Sequence, residues 1–299
     1  MREDFYTLIT GASEGFGKAL AIECGRRKMN LILVSLPGSD LHGLSLFIKL
    51  QYGTDVISIE KDLCEELSCL ELFNEINVLG LRVNMIFNNA GIGSTGWFDQ
   101  GDIGMYERQI KLNVLATTRI THLFLDMLKQ NSPSYLLNVG SLACYFHLPK
   151  KQVYGATKSF IYYFSKSLRK ELKKDNVFVT VLCPGGMNTN AAVTRTIQSG
   201  NYFSRVSSMS PEEVVPLALD GLFNKKAVII PGRLNRIFLV LDKLLPSFIK
   251  TILTNYTMKS LNGVKVSVPC FETVRRQDEM KPGIFKTSNY SPDKIVNHV

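Results

Sequence analysis

Residues 5–17 read Phe5-Tyr6-Thr7-Leu8-Ile9-Thr10-Gly11-Ala12-Ser13-Glu14-Gly15-Phe16-Gly17. A short apolar run ends in a glycine-rich turn, and an amphipathic run follows through residue 27. This order predicts a strand over 5–10 and a helix over 17–27. A glycine-rich turn between the two lets backbone N–H groups approach a pyrophosphate, and the helix N-terminus adds favourable partial charge. A glycine triplet alone is often only a tight turn. Its place after the first strand is what gives it weight.

The same alternation continues along the chain. Further strands are predicted over 30–35, 55–59, 83–88, 135–139, 177–182 and 227–230, with helices over 41–52, 64–78, 105–130 and 153–174. Nearly continuous apolar strands separated by helices predict an α/β, doubly wound sheet of seven strands, mostly or wholly parallel, with helices on both faces. Ser210-Pro211-Glu212-Glu213 carries the pattern of a capping box and so of a helix start. After Gly232 the pattern weakens. Residues 235–245 and 247–258 read as two apolar helices broken at Pro246, and 267–299 as a loose polar tail.

The chain has 299 residues, 45% hydrophobic and 20% charged, and is long enough to bury a full core. Its net charge of +9 is uneven, since residues 233–266 hold six Lys/Arg and one Asp. A basic patch confined to one apolar segment argues against a nucleic-acid partner. No run of 18 apolar residues lacks charges, so a membrane span is not expected. The start, Met1-Arg2-Glu3-Asp4, shows no secretory pattern. Six cysteines, at 24, 64, 69, 144, 183 and 270, have neither metal-ligand nor disulfide-framework spacing. The expectation is a cytoplasmic protein without a metal.

Tyr154 and Lys158, in Tyr154-Gly155-Ala156-Thr157-Lys158, fall one turn apart on one helix face, with Ser141 thirteen residues earlier. A phenol with its ordinary pKa of about 10 is a poor acid at neutral pH. A neighbouring ammonium stabilises the phenolate and lowers that pKa, so the pair can move a proton to or from a carbonyl oxygen.

Together with the glycine loop these residues resemble the short-chain dehydrogenase/reductase family. Asn88-Asn89-Ala90-Gly91 is similar to that family's Asn-Asn-Ala-Gly signature, and Asn113 sits where the family carries a helix asparagine. Ser141, Tyr154 and Lys158 complete an Asn-Ser-Tyr-Lys tetrad, and Pro184-Gly185-Gly186-Met187-Asn188-Thr189 is similar to the family's Pro-Gly-x-x-x-Thr. The resemblance covers roughly residues 5–232. It implies a Rossmann fold over 1–232, a substrate loop at about 187–209, and hydride transfer between a nicotinamide and a carbonyl or alcohol carbon. Tyr154 would be the proton donor, Ser141 would hold the substrate oxygen, and Asn113 would position a relay water. Lys158 would lower the tyrosine pKa and bind the nicotinamide ribose. Gly11, Ser13, Gly15, Phe16, Gly17, Ser35, Asn88, Asn89, Ala90, Gly91, Pro184, Gly185 and Thr189 would surround the cofactor, with Asp62 on the adenine. A homodimer or homotetramer is implied as well. A catalytically silent scaffold that still binds cofactor is the alternative, and its expected mark, a broken tetrad, is missing here.

The residue after the second strand normally selects the cofactor, an acid bonding the ribose of NAD and a base the 2′-phosphate of NADP. Val34-Ser35-Leu36-Pro37-Gly38 has neither. The missing acid, with Ser13 and Ser35 as donors, favours NADP(H) over NAD(H), while Glu14 and the missing arginine count against it. Residues 187–209 contain Ala191, Ala192, Val193, Ile197, Tyr202 and Phe203 but only Arg195 and Arg205 as charges. With Phe146, His147 and Leu148 they favour an apolar carbonyl substrate of acyl or steroid-like type, or else pack the loop itself. The stretch 233–261 fits either peripheral contact with an anionic membrane or packing over the pocket or a subunit interface.

Overall fold

The computed structural model describes residues 5–187 and 208–244. Among them seven strands form one sheet: β1 Tyr6–Thr10, β2 Asn30–Ser35, β3 Val56–Glu60, β4 Val83–Asn88, β5 Ser134–Val139, β6 Val177–Leu182 and β7 Val228–Ile229. Their order is β3-β2-β1-β4-β5-β6-β7, and every neighbouring pair is parallel. The predicted strands match these within a residue or two, because each is an apolar β-branched run bounded by turn residues.

Burial on both faces is why those strands read as continuous apolar runs rather than alternating ones. Ile9, Leu31, Leu33 and Phe87 point to one face, under α1 (Gly15–Arg26), α2 (Leu41–Tyr52) and α8 (Pro211–Phe223). Leu8, Ile32, Val34 and Ile86 point to the other, under α3 (Ser68–Val78), α5 (Thr117–Leu123) and α6 (Leu125–Gln130). The remaining described helices are α4 (Ile103–Ile110), α7 (Gln152–Glu171) and α9 (Arg233–Leu244). α8 opens on the predicted capping box: Ser210 Oγ accepts from Glu213 N, and Ser210 N donates to Glu213 Oε2.

Two helix boundaries depart from the sequence reading. The predicted helix 64–78 starts only at Ser68, because Asp62 first folds back on the chain and accepts from Cys64 N. The predicted helix 105–130 is divided into α4, a π-helical segment Lys111–Ala116, α5 and α6. A π segment shifts the hydrogen-bond register, which an amphipathic pattern does not reveal. The predicted helix 247–258, the tail, and most of the substrate loop lie outside the described residues. Among the described residues no helix is long and apolar enough to cross a membrane.

β1 pairs with β2 on one side and β4 on the other, so successive strands depart in opposite directions from that point. Ligands of open parallel sheets sit at the carboxyl ends of the strands beside such a reversal. The glycine loop after β1, residues 88–91 after β4, Ser141 after β5 and Pro184 after β6 all lie at those ends.

Candidate active site

The glycine loop is bound to the next segment by side-chain hydrogen bonds. Thr10 Oγ1 accepts from Asn89 N and Ala90 N, both at 3.0 Å. Asn89 Nδ2 donates to the carbonyls of Thr10 (2.9 Å) and Gly11 (3.0 Å). Gly11 and Gly15 take φ of 64° and 53°, the left-handed region. A Cβ on Gly17 would lie 1.9 Å from the Gly11 carbonyl oxygen, so the loop closes only around glycine. Glu14, the N-cap of α1, makes no side-chain cap hydrogen bond and leaves the first-turn N–H groups to an anion. These features fit a nicotinamide dinucleotide.

Individual assignments come out differently. Phe16 packs in the core, so its contribution toward a cofactor is limited to its backbone. Asn88 turns away from the floor: its Nδ2 donates to Thr121 Oγ1 and Asn138 Oδ1. Asn89 shapes the floor through the loop carbonyls. Asp62 receives Cys64 N on one oxygen and Arg108 Nη2 on the other, each at 2.9 Å. A carboxylate has about four acceptor positions, so capacity remains for an adenine amino group. At the end of β2, Ser13 Oγ and Ser35 Oγ are 2.6 Å apart. Thr189 lies outside the described residues, and Pro184 accepts from Leu142 N at the floor's far side.

The tetrad is brought together by α7, the turn after β5 and the π segment. Ser141 caps a short 3-10 turn, accepting from Ala143 N at 3.1 Å, and also hydrogen-bonds the Tyr154 hydroxyl. Lys158 is buried and donates to Val139 O at 2.8 Å, its Nζ 5.9 Å from the Tyr154 ring centroid. Asn113 is buried too. Its Oδ1 accepts from Ile92 N, and its Nδ2 donates to Ile92 O and Thr157 Oγ1. Thr157 Oγ1 then donates to the Tyr154 carbonyl at 2.8 Å. A Cβ on Gly91 would meet Asn113 Oδ1 at 3.0 Å and Lys158 Nζ at 3.3 Å, so the floor runs directly beside both.

The electrostatics correct one expectation. The Tyr154 phenol is pushed up from its ordinary value, chiefly by burial, with the Ser141 hydrogen bond pulling the other way. The spacing to Lys158 alone implies the reverse. Burial also acts on Lys158, lowering its pKa from 10.5 to about 8. With a pKa of about 8 the lysine is still mostly charged at pH 7 and loses that charge just above it.

The sequence model of the short chain dehydrogenases matches residues 6–199. The chain belongs to the short-chain dehydrogenase family. That family comprises oxidoreductases acting on carbonyl and alcohol groups, with a nicotinamide cofactor. The very-long-chain 3-oxoacyl-CoA reductase of Macaca fascicularis is 27% identical over 196 residues, 64% of this chain and 62% of the relative. The chain thus spans less than two thirds of that relative's length. The short-chain dehydrogenase from Sphingobium yanoikuyae in complex with NADPH is 26% identical, covers 80% of this chain and 93% of its own, and gives a TM-score of 0.71. The bulky-bulky ketone specific alcohol dehydrogenase from Comamonas testosteroni is also 26% identical, over 81% and 92%, with a TM-score of 0.69.

Several residues behind the site were not reached by sequence reasoning. Asn138 Nδ2 donates to Ser165 Oγ at 2.9 Å, and Ser165 Oγ to Ile161 O at 2.6 Å. With Asn88 and Thr121 they join β4, β5, α5 and α7 in one buried polar chain. The signal was a polar residue inside each otherwise apolar run, such as Asn138 within 134–139. Thr10 and Thr157 are pins of the same kind, one under the floor and one under the tyrosine.

Proposed function

We propose that this chain reduces the carbonyl of an apolar ketone with NADP(H). The observation that carries the reading is the convergence of Asn113, Ser141, Tyr154 and Lys158 beside Gly91. The hydride is what a bound nicotinamide contributes; positioning and proton transfer fall to the chain. Tyr154, kept protonated by burial, delivers the proton to the substrate oxygen, which Ser141 holds. Lys158 faces the floor at Gly91, where ribose hydroxyls would lie. Asn113 fixes the distance between the floor and α7.

NADP(H) is supported by the end of β2, where no acid stands and two serine hydroxyls converge. Glu60 is the opposing charge, its Oε2 accepting from Gly38 N at 3.2 Å. Comparing dissociation constants of NADPH and NADH tests this choice, and tighter NADH binding would overturn it. An apolar substrate is supported by the exposed Trp97 and Leu148 near Tyr154, and by relatives named for 3-oxoacyl-CoA and bulky ketones. A panel of ketones, aldehydes, 3-oxoacyl thioesters and steroids, followed at the nicotinamide absorbance, tests the activity. Silence across it would favour the scaffold alternative.

Self-association as a homodimer or homotetramer is supported by Ile103, Ile110 and Leu115, all exposed, and by Phe160 and Tyr163 on α7. Light scattering across concentrations tests it, and a monomer throughout would reject it. We place the protein in the cytoplasm, with membrane contact through 233–261 as an accessory. That contact is supported by the exposed Leu234 and Ile237 on α9. Liposome co-sedimentation with and without residues 233–299 decides it.

A further inference from the structure

Three segments border Tyr154 or belong to the expected substrate loop: 89–98, 141–160 and 185–209. None contains an Asp or Glu, although the chain has 26 of them. Within them stand Lys150, Lys151, Lys158, Arg195 and Arg205. Lys158 is accounted for by the tetrad; Lys151 has no role there.

Lys151 precedes α7, and its Nζ stands 5.6 Å from the Tyr154 ring centroid. It is partly buried, and among the described residues no carboxylate forms an ion pair with it. Burial lowers its pKa, and no acid among the described residues opposes that. An ammonium drawn out of water without a counter-charge is costly unless a ligand supplies one. Lys150 lies alongside, its Nζ 4.7 Å from the exposed Trp97 ring centroid. Lys150 holds φ 65°, unusual for a side chain larger than glycine, and its carbonyl accepts from Gly96 N at 2.9 Å. That bond ties the segment carrying both lysines to the segment lying against the tyrosine, where a Cβ on Gly93 would be 2.9 Å from the Tyr154 ring. The two ammonium groups are thereby presented on aromatic faces at the lip of the substrate site, with Leu148 exposed beside them.

We propose that Lys151 is an anion-binding residue that selects ketones carrying a phosphate-bearing carrier, as in an acyl thioester of coenzyme A, over neutral ketones such as steroids. The exposed Trp97 and Leu148 would hold the acyl part, and Lys151 the charged part outside it. The proposal deepens the substrate reading above, depending on it only for the ketone at Tyr154.

The test uses ligands with nothing to reduce, so it does not depend on turnover. Dodecanoyl-CoA and dodecanoyl-pantetheine, which lacks the phosphates, are titrated calorimetrically onto the full chain with NADPH present. Wild type is expected to bind the CoA thioester more tightly, and Lys151→Gln to lose about tenfold of that affinity while its pantetheine affinity stays put, the scale of one charge-assisted contact. Lys151→Arg should retain most of the preference, and Lys173→Gln, far from the lip, all of it. Equal wild-type affinity for the two thioesters, or an equal effect of Lys151→Gln on both, overturns the anion site. A Lys151-dependent preference in a protein silent across the whole panel of carbonyls keeps the anion site and rejects the ketone-reduction reading instead. Thermal melts of each variant separate lost binding from lost fold.

Discussion

Lys158→Met should make the protein more stable while destroying its site. The lysine is 6% exposed, and burial takes its pKa from 10.5 to about 8. At about 1.4 kcal/mol per pH unit, holding the ammonium in the folded state at neutral pH costs about 3 kcal/mol. Methionine has similar length and no charge to desolvate, but it forfeits the hydrogen bond to Val139 O, a loss of about 1 kcal/mol. The expected net gain is about 2 kcal/mol at pH 7, or roughly half a molar in urea midpoint. The pH dependence makes the argument specific. A lysine whose folded pKa is depressed carries its full penalty below about pH 8, and the penalty is relieved as pH rises toward 10.5, since the unfolded chain then binds more protons. Wild-type unfolding free energy should therefore climb between pH 8 and 10, and the variant's should climb less by about the same 2–3 kcal/mol. Urea unfolding of cofactor-free protein at pH 7, 8.5 and 9.5 measures both. A variant less stable at pH 7, with an unchanged pH slope, would refute the view of Lys158 as a strained functional charge.

Tyr154→Phe should reduce turnover by at least about 10²-fold while NADPH still binds; a near-wild-type rate would remove the tyrosine from its role as acid. Because the Tyr154 phenol is pushed upward, it stays protonated through neutral pH. Alcohol oxidation, which needs the phenolate, should rise with pH from 7 to 10, and ketone reduction should not; parallel profiles would contradict this. Gly17→Ala places a methyl group 1.9 Å from the Gly11 carbonyl oxygen, so affinity for nicotinamide dinucleotides should fall about tenfold or more by fluorescence titration. Asn113→Ala removes three buried hydrogen bonds, and a loss of about 2–4 kcal/mol in urea unfolding is expected.

The sheet was legible because the central strands are buried on both faces and therefore largely apolar, from Leu8 in β1 to Val181 in β6. The division of 105–130 was not, since a π segment changes hydrogen-bond partners without changing which residues are apolar. At the site, residue identity was legible and residue state was not. Spacing placed Tyr154 and Lys158 on one face of a helix, as found. The direction of the tyrosine's pKa is set by its burial, which outweighs the Ser141 hydrogen bond, and that burial arises where the turn after β5 and the segment after β6 meet α7. Asn88 fails for a related reason: its motif is shared with floor residues, but the alternation of β4 turns its side chain toward Thr121 and Asn138.

Unspent hydrogen-bond capacity sorts the tetrad into roles more firmly than motif order does. Asn113 uses both amide protons and accepts from Ile92, so it holds α7 and the floor together and has little side-chain capacity left for a substrate. Lys158 has three donors and gives one to Val139 O, leaving two beside Gly91, on the cofactor side. Ser141 accepts from Ala143 N and meets the Tyr154 hydroxyl, so a carbonyl oxygen seated between them would find two hydroxyl donors. Lys151 has its ammonium donors near the same ring, and among the described residues no acid pairs with them. Donors that no acid among the described residues takes thus lie on both sides of Tyr154, toward the cofactor at Lys158 and toward the lip at Lys151. A substrate that meets both the hydroxyl pair and the lysine must combine a carbonyl with an anion, which is a narrower demand than the tetrad makes by itself.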